Sequence, residues 1–478
     1  MNLRPHSALG WKSRLSWLTA SCIAAVPLST AGLARPSPST TAVTRTVTNC
    51  NDSGPGSLRD VIAQAASGDI IDLTPAGCDR IELQGQPIAV PQNALRIEGP
   101  GRDLMTIDGN RRSSIFRHTG TRTLRISGVS IVRGQHRVAD GDAHGGCVYS
   151  AGRVRLEWSY VHHCTAYASG PAGPPPSDDS ARGGGIYALQ GASVNHSWIY
   201  ANEAIAEVRA EGGGIYGAGA GTTYLNYSRV MDNTVSTHSS NISNGGGVFA
   251  TNLRVYYSRL TGNYAGTAGS SGGTGGGAYA YQTGTIVNST IFGNIAEQAA
   301  GGLGGEQITV FNSTFSGNRA PFAAALAAAE LYMAFSTIAF NDGFSTACAE
   351  SAAVWQDYRY ADFSTVVSSI LANNTCEGQP AYDLATEAGF SGEANIIVSS
   401  EDVLPEDTIR TDPMLKPLAY NGGIGRTHAL KFGSPAIDAG YNDYSGIPRW
   451  DQRGPGFPRP AGAAPDIGAY EYRAGARN

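Results

Sequence analysis

The sequence predicts an all-β protein built as a solenoid of short, stacked strands. Three observations support this prediction. The phrase Ser-x-[apolar]-x-x-Asn returns eight times, at steps of 23 to 38 residues. A Gly-Gly-Gly-[apolar]-aromatic tract precedes several copies, and glycine is abundant, with 62 residues in a chain of 478. Strands of this length cannot bury an apolar face alone, so successive repeats must stack to form a continuous core.

The eight phrases place apolar side chains at fixed positions. Their first residues are Ser159, Ser197, Ser228, Ser258, Ser289, Ser313, Ser336 and Ser368. The position two residues after the serine is apolar in every copy, and the position three residues before it is apolar except in the last copy, which has Thr365. Both positions are expected to face the core. The shortest steps, 23 and 24 residues, suit one coil of three strands.

An asparagine ladder is expected at one bend of the coils. Five residues after the serine, the copies have Cys164, Asn202, Asn233, Asn263, Asn294, Asn318, Asn341 and Asn373. Stacked coils set equivalent residues about 4.8 Å apart, so that each amide can bond to the next. The longer steps are interpreted as loops inserted at one corner, such as residues 166–182.

The chain is predicted to begin with a signal peptide at residues 1–34, followed by a Ser-, Thr- and Pro-rich linker at 35–48. Positively charged residues precede an apolar stretch at 15–28, and small residues follow it. No later apolar run is long enough to span a membrane. We therefore expect a secreted or extracellular protein.

A helical cap, the solenoid and a closing segment are predicted to follow. Residues 49–75 contain an amphipathic pattern in which Ser57 and Asp60 resemble a capping box. A helix here would cover the strand edges that the first coil exposes. The solenoid is predicted for residues 76–375, and residues 376–478, rich in Pro, Asp and Gly turns, form an irregular C-terminal cap.

Six cysteines remain after the signal peptide, and an even number in an exported chain favours disulfides. Of fifteen possible pairings, the one between sequence neighbours joins Cys50 to Cys78, Cys147 to Cys164 and Cys348 to Cys376. A metal site would have to recruit His144, His162 and His163 around two of these cysteines, but no CxxC or HxxxH spacing is present. We expect neither a metal nor a cofactor.

The charge balance argues against a nucleic-acid partner. The formal net charge is −5, only 15% of residues are charged, and lysine occurs only at Lys12, Lys416 and Lys431. Nucleic-acid-binding domains usually carry a strongly basic stripe. Arginine therefore supplies nearly all of the positive charge, and the repeats contain no lysine.

Phrases near both ends of the chain resemble the choice-of-anchor Q family of exported bacterial proteins. They lie at residues 51–59, 412–415, 421–423, 427–430, 433–440, 451–454 and 466–471. The repeats are similar to those of polymorphic outer-membrane proteins. These resemblances imply a bacterial, right-handed parallel β-helix of the pectin-lyase-like kind, with about 11 to 13 coils. Because residues 473–478 contain neither a sorting signal nor a terminal aromatic residue, we expect free secretion.

Outward positions of stacked coils form columns, and one group of columns predicts a ligand-binding face on the early coils. It contains Glu157, Tyr160, His162, Trp198, Tyr200, Arg229, Tyr256 and Arg259. Aromatic rings stack on sugar faces and arginine forks onto carboxylates, which favours an elongated polysaccharide or cell-surface glycan as the partner. The alternative is that these outward side chains only stabilise the sheet.

The case for catalysis rests on Glu203, Arg229 and Asp232, which lie near the same columns. A lyase needs a base and a cation that neutralises the uronate, and a hydrolase needs two carboxyl groups at a defined separation. No Gly-His-Gly, Arg-Ile-Lys or Arg-x-Pro-x-x-Arg phrase is present. We therefore expect a monomeric, non-enzymatic protein for adhesion or glycan binding, with a polysaccharide lyase or glycoside hydrolase as the alternative.

Overall fold

The computed structural model describes residues 42–170, 179–238, 242–267, 272–344, 351–356, 364–386, 389–444 and 446–473. Their strands pair in parallel, coil upon coil, and the expected right-handed parallel β-helix is confirmed. One of its sheets contributes a single strand to each coil and contains twelve strands within the described residues, in agreement with the expected 11 to 13 coils.

Sheet A forms the longest wall. It has two short strands per coil in the early coils, and these merge into one long strand in the middle coils. Its strands are Thr44–Thr46, Ile70–Asp72, Ile88–Val90, Leu95–Glu98, Phe116–His118, Thr123–Ser127, Val148–Ser150, Arg153–Glu157, Ile186–Ala188, Ala192–Asn195, Ile215–Asn226, Val248–Tyr256, Ala278–Val287, Leu303–Phe311, Leu326–Ala334, Ala352–Gln356, Ser364–Val367, Tyr382–Thr386 and Phe390–Ser391.

Sheet B follows sheet A in each coil, after a turn that begins at the repeated serine. Its strands are Arg80–Glu82, Thr106–Asp108, Ser130–Val132, Tyr160–His162, Trp198–Tyr200, Arg229–Met231, Arg259–Thr261, Thr290–Phe292, Thr314–Ser316, Thr337–Ala339, Ile370–Ala372 and Ile396–Ile397. The apolar residue at the centre of each repeat, such as Val161 or Ile199, is fully buried. The predicted inward position is therefore confirmed.

Sheet C follows sheet B after the asparagine bend. Its strands are Gln135–Val138, Thr165–Ala168, Glu203–Ala206, Thr234–Thr237, Tyr264–Thr267, Ile295–Ala296, Arg319–Ala320, Asp342–Gly343, Thr375–Cys376 and, antiparallel to its neighbour, Gln379–Pro380. Stacked strands are thus present on both sides of the range 76–375, since sheet A begins at Thr44–Thr46 and sheet B ends at Ile396–Ile397.

The longer repeats add a fourth sheet. Sheet D contains Ala143–His144, Ser180–Arg182, Arg209–Glu211 and Ile242–Asn244. The prediction of a plain loop at 166–182 is therefore wrong, because Thr165–Ala168 and Ser180–Arg182 are strands. Sheets C and D share a small core of fully buried side chains, nearly all alanine, separate from the large aliphatic core enclosed by the coils. Because alanine side chains are small, sheets C and D can pack closely against each other.

The N-terminal helix, α1, spans Leu58–Ala63 and buries Leu58, Val61 and Ile62 against the first coils. The predicted capping box is confirmed: the Ser57 hydroxyl accepts from the Asp60 amide, and the Asp60 carboxylate accepts from the Gly56 amide at 2.9 Å. A short 3₁₀ helix follows at Thr74–Ala76. Among the described residues, no helix is long and apolar enough to cross a membrane.

The asparagine ladder is present, with one correction. The Asn202 side-chain oxygen accepts from the Cys164 backbone amide, and from Asn233 onward each side-chain oxygen accepts from the backbone and side-chain amides of the preceding asparagine, at 2.9 to 3.1 Å. The last asparagine of the ladder is Asn374 rather than Asn373, and the serine of that coil is Ser369 rather than Ser368. The last repeat therefore begins one residue later than predicted. This register brings Leu371 and Val366 inward and leaves the polar Thr365 outside.

The closing segment, residues 401–473, lies on the outer face of sheet B over the later coils. The Thr290 hydroxyl donates to the Arg426 carbonyl at 2.9 Å, and the Ala469 amide donates to the Thr337 hydroxyl at 3.0 Å. Inside the segment, Arg459 and Glu471 form a fully buried ion pair at 2.7 Å. The segment thus covers part of the solenoid wall.

Two predicted disulfides are present. Cys50 is joined to Cys78 and Cys147 to Cys164, with Cα separations of 6.3 and 5.4 Å. The third predicted pair involves Cys348, which lies outside the described residues.

Candidate functional site

The early coils of sheet B place four predicted residues in one outward column. Tyr160, Trp198, Arg229 and Arg259 are consecutive partners in the parallel register. The ring centroids of Tyr160 and Trp198 are 5.1 Å apart, and the Arg229 guanidinium carbon lies 4.3 Å from the Trp198 centroid. The column is therefore a continuous surface of rings ending in a cation.

A second arginine, absent from the sequence-based site, also lies over the rings. The Arg102 guanidinium carbon is 4.6 Å from the Tyr160 centroid and 5.4 Å from the Trp198 centroid. Arg102 also donates to the His196 carbonyl at 2.7 Å. Within the described part of the chain, neither Arg102 nor Arg229 forms an ion pair. The two rings thus lie against two guanidinium groups that have no ion-pair partner among the described residues.

Arg259 does not belong to the open surface. It is only 7% exposed, because the closing segment covers it, and its guanidinium donates to the Tyr420 hydroxyl and lies 5.4 Å from the Tyr420 ring. The same column continues under the closing segment as the buried threonines Thr290, Thr314 and Thr337. Burial, and next the nearby charge of Arg259, lower the pKa of Arg229.

His162 and Tyr200 form the adjacent column. Their rings stack with centroids 4.5 Å apart. His162 Nε2 lies 3.1 Å from the Ser130 hydroxyl, and its Nδ1 lies 2.7 Å from Nδ1 of His163. Burial, together with the neighbouring His163, lowers the pKa of His162 to about 4. His162 is therefore a neutral hydrogen-bonding group at physiological pH.

A hollow of about 350 Å³ opens beside these rings, where sheet B carries only small side chains. Arg80 and Arg133 lie at its border with His162. Both arginines pair with the carboxylate of Asp108, which is fully buried. Burial opposes ionisation of Asp108, but the two arginines lower its pKa, so it stays charged. After Asp108, the second carboxylate near Arg133 is Glu82, which ends the strand that begins at Arg80. Both carboxylates raise the pKa of Arg133, so two carboxylates balance the two guanidinium groups.

Glu157 and Tyr256 lie on sheet A, on the other side of the serine turn from sheet B. Glu157 is 9% exposed and is held by Arg155, 2.6 Å away, and by Arg125. These ion pairs lower its pKa against the opposing effect of burial. Tyr256 is half-buried. Neither side chain faces the rings of sheet B.

The catalytic candidates are not brought together. Glu203 is the first, exposed residue of its sheet C strand, beyond the asparagine bend. Asp232 is in the left-handed conformation at that bend, with a φ of 52°. A Cβ atom at Gly262 would lie 2.3 Å from Asp232 Oδ1, so this carboxylate covers the bend of the next coil. Both carboxylates thus lie around the corner from Arg229, which belongs to sheet B.

Two aromatic rows are further surface features. At the turn between sheets A and B, Trp158, His196, Tyr227 and Tyr257 stack with centroids 4.2 to 5.1 Å apart. The sequence indicates this row, because the residue before the repeated serine is aromatic in each of the four early copies.

The second row lies on sheet A and comprises Tyr149, Tyr187, Tyr216, Phe249 and Tyr279, the aromatic residues of the glycine tracts. Their rings are nearly parallel, with centroids 5.0 to 5.8 Å apart. Burial raises the pKa of Tyr216 to about 12. Each ring covers the next, and at the first end of the row the Arg117 guanidinium carbon lies 4.7 Å from the Tyr149 centroid, so within the described residues the free ring face is at the Tyr279 end.

Sheet D borders this second row with an ion-paired wall. Arg182 donates to the Glu211 carboxylate at 2.9 Å, and His144 stacks on Tyr187 at 4.4 Å. Burial lowers the pKa of His144 to about 4. In the described ranges, no group of three or more His, Cys, Asp or Glu side chains is arranged to hold a metal ion.

Comparison with known proteins leaves the chain without an assigned family. No family model matches the chain, and the resemblance to the choice-of-anchor Q family gains no support. No curated protein matches it either. Among solved structures, it is similar to the crystal structure of pectate lyase Pel9A, with 13% identity and a TM-score of 0.44, over 91% of this chain and 98% of that one.

Proposed function

We propose that this protein is an extracellular, non-enzymatic β-helix that binds an acidic polysaccharide through the open face of sheet B. The observation that carries the proposal is the pair of arginines without an ion-pair partner among the described residues, Arg102 and Arg229, against the rings of Tyr160 and Trp198. Guanidinium groups bind carboxylates and sulfates with two parallel hydrogen bonds, and rings contact the apolar faces of sugars.

The shape of the face favours a chain rather than a single sugar. Arg80, at the border of the hollow, and Arg229 both lie on sheet B, separated by several coils of about 4.8 Å each. Acidic residues of one extended polysaccharide could contact both ends at once. The two disulfides suit an oxidising environment outside the cell.

A non-enzymatic role fits the position of the carboxylates. Glu203 and Asp232 lie around the asparagine bend from the rings. The alternative is a polysaccharide lyase or glycoside hydrolase. For a lyase, Arg229 is the candidate base, because its pKa is lowered.

Incubation of the protein with acidic and neutral polysaccharides tests the proposal. Retention, ultraviolet absorbance of unsaturated ends, and reducing ends are measured together. We expect retention of an acidic polysaccharide without new ends. Replacing Arg229→Gln or Trp198→Ala should weaken this retention by about tenfold, since each removes about 1 to 2 kcal/mol of charged or ring contact.

Arg254→Gln is the matched control. Arg254 also lies over a ring, 5.8 Å from the Tyr224 centroid, but on sheet A. Its variant should bind like the unaltered protein. New unsaturated or reducing ends that disappear in Arg229→Gln would establish the enzymatic alternative, and unchanged retention in both sheet B variants would exclude this face.

A further inference from the structure

The aromatic row of sheet A stops abruptly at Tyr279. In the parallel register, Tyr216 pairs with Phe249 and Phe249 with Tyr279, but Tyr279 pairs with Gly304, and Gly304 with Ala327. The next residue of the column after Ala327 is Trp355. The column therefore lacks large side chains on two successive coils, and three steps of about 4.8 Å place Tyr279 and Trp355 about 14 Å apart.

The missing side chains leave a cavity. It has a volume of about 400 Å³, and Tyr279, Gly304, Ala327 and Trp355 all line it. One face of the Tyr279 ring is covered by Phe249, with centroids 5.8 Å apart and planes 10° apart. The opposite face points along the column toward Gly304, where no side chain covers it. A volume of several hundred Å³ is in the range of small-molecule sites.

The backbone does not require glycine at 304. Gly304 has no positive φ, and a Cβ atom there would meet its nearest neighbours, among them Tyr279 Cδ2, at 3.1 Å. Gly305 differs, since a Cβ atom there would lie 2.5 Å from the Ala280 carbonyl oxygen. Thr274, Tyr279 and Ala300 thus lie close around the Gly304 Cα, and the cavity begins beyond them, where the preceding coils carry a ring.

The polar groups at the cavity suit an uncharged ligand rich in hydroxyl groups. Glu306 supplies an exposed carboxylate, and Tyr281, which is 59% exposed, supplies a phenol. Of the described residues that line the cavity, none is arginine or lysine. A carboxylate accepts hydrogen bonds from sugar hydroxyls but repels a uronate or sulfate.

We propose that this cavity is a second binding site, for a neutral oligosaccharide, in which one pyranose ring replaces the missing side chain of the Gly304 coil and stacks on Tyr279. A ring at an ordinary contact distance of about 4 Å continues the aromatic row by one step. Glu306 and Tyr281 then bind the hydroxyls at its edge. This site is independent of the acidic-polysaccharide face on sheet B.

Calorimetric titration with neutral β-1,4-linked hexasaccharides of glucose, mannose and xylose tests the site. At least one should bind the unaltered protein. Gly304→Phe fills the gap and should lower the affinity for it by about tenfold or more, the effect of losing one stacked ring. The melting temperature of this variant is measured as well, because a Cβ atom at position 304 would lie 3.1 Å from Thr274 and Tyr279, which must shift slightly to accept it.

Two further variants keep the test decisive. Glu306→Gln alters only an exposed side chain, so its fold is secure, and it should weaken binding severalfold. Arg229→Gln should leave the affinity for the neutral hexasaccharide unchanged while it weakens the retention of an acidic polysaccharide. The proposal is overturned if none of the three hexasaccharides binds, or if both Gly304→Phe and Glu306→Gln bind as tightly as the unaltered protein. It is also overturned if a galacturonate hexasaccharide displaces the neutral one.

Discussion

Asp383 ends the asparagine ladder with a carboxyl group. Its Oδ1 accepts from Asn374 Nδ2 at 2.7 Å, and its Oδ2 accepts from the Ser399 amide at 2.9 Å. The side chain is 2% exposed, and burial raises its pKa to about 6. A carboxyl group suits this position because both of its oxygens accept hydrogen bonds. The side-chain NH₂ of an asparagine at this position would instead face another N–H donor.

This carboxyl group makes stability depend on pH. Its pKa is higher in the folded state than the ordinary 3.8, so the folded state binds the proton more tightly. The stabilisation is present below pH 4 and is lost as pH rises to about 6. A difference of about two pKa units corresponds to about 3 kcal/mol of unfolding free energy.

Urea unfolding from pH 4 to pH 7 measures this effect. The unfolding free energy of the unaltered protein, relative to Asp383→Asn, should fall by about 2 kcal/mol between pH 4 and 6, which is most of the total effect. Glu203→Gln, which alters an exposed carboxylate on sheet C, should show no such relative change. A constant difference between the protein and Asp383→Asn would contradict a raised pKa at this position.

The closing segment is the element that divides the outer face of sheet B. Gln452, which is 1% exposed, joins it to the solenoid: its side-chain nitrogen donates to the Ser289 carbonyl and to the Thr290 hydroxyl, both at 3.0 Å, and its oxygen accepts from the Thr314 hydroxyl. These bonds explain why the column changes from rings and arginine to threonine. The threonines serve the closing segment rather than a ligand.

Replacing Gln452→Ala should loosen the closing segment. Without the Gln452 amide, buried hydroxyl and carbonyl groups lose their hydrogen-bond partners, which lowers the unfolding free energy by about 2 to 4 kcal/mol. Limited proteolysis should then cut within residues 401–473 before it cuts the coils. Gln307→Ala is the control, since Gln307 is exposed and bonds only to Glu330 at 2.9 Å. Equal protease resistance in both variants would mean that Gln452 does not hold the segment.

At the scale of the whole molecule, the two proposed binding faces differ in charge. The sheet B face carries unpaired guanidinium groups, whereas the cavity on sheet A is lined by a carboxylate and a phenol. The net charge of −5 offers no general attraction for anions, so acidic binding has to depend on the local arginines. Their interaction with an anion is screened by salt, because the Debye length falls to a few Å near 1 M.

The two faces should therefore respond differently to salt. Raising sodium chloride from about 0.05 M to about 0.5 M should reduce retention of an acidic polysaccharide by about tenfold or more. The affinity for the neutral hexasaccharides should change by less than about twofold, since stacking involves no net charge. Parallel salt dependence for both ligands would show that one charged surface binds them both.

The sequence by itself determined the coils and their columns. A repeat with fixed spacing places each residue beside its equivalent in the next coil, so the contact of Tyr160 with Trp198 and of Trp198 with Arg229 followed from counting. The last repeat was misplaced by one residue because Ser368-Ser369 and Asn373-Asn374 each offer two choices, and only the packing of Leu371 selects between them.

Only the tertiary structure decided which parts of those columns are open. Arg259 and Arg229 occupy equivalent positions, yet Tyr420 covers the first, whereas the second is only half-buried. Arg102 joins the rings from an early coil without the repeat phrase. Such contacts join residues distant in sequence and have no periodic signal, because they depend on where an irregular segment finds complementary donors and acceptors. The repeat specifies the scaffold, and its irregular parts determine the surface.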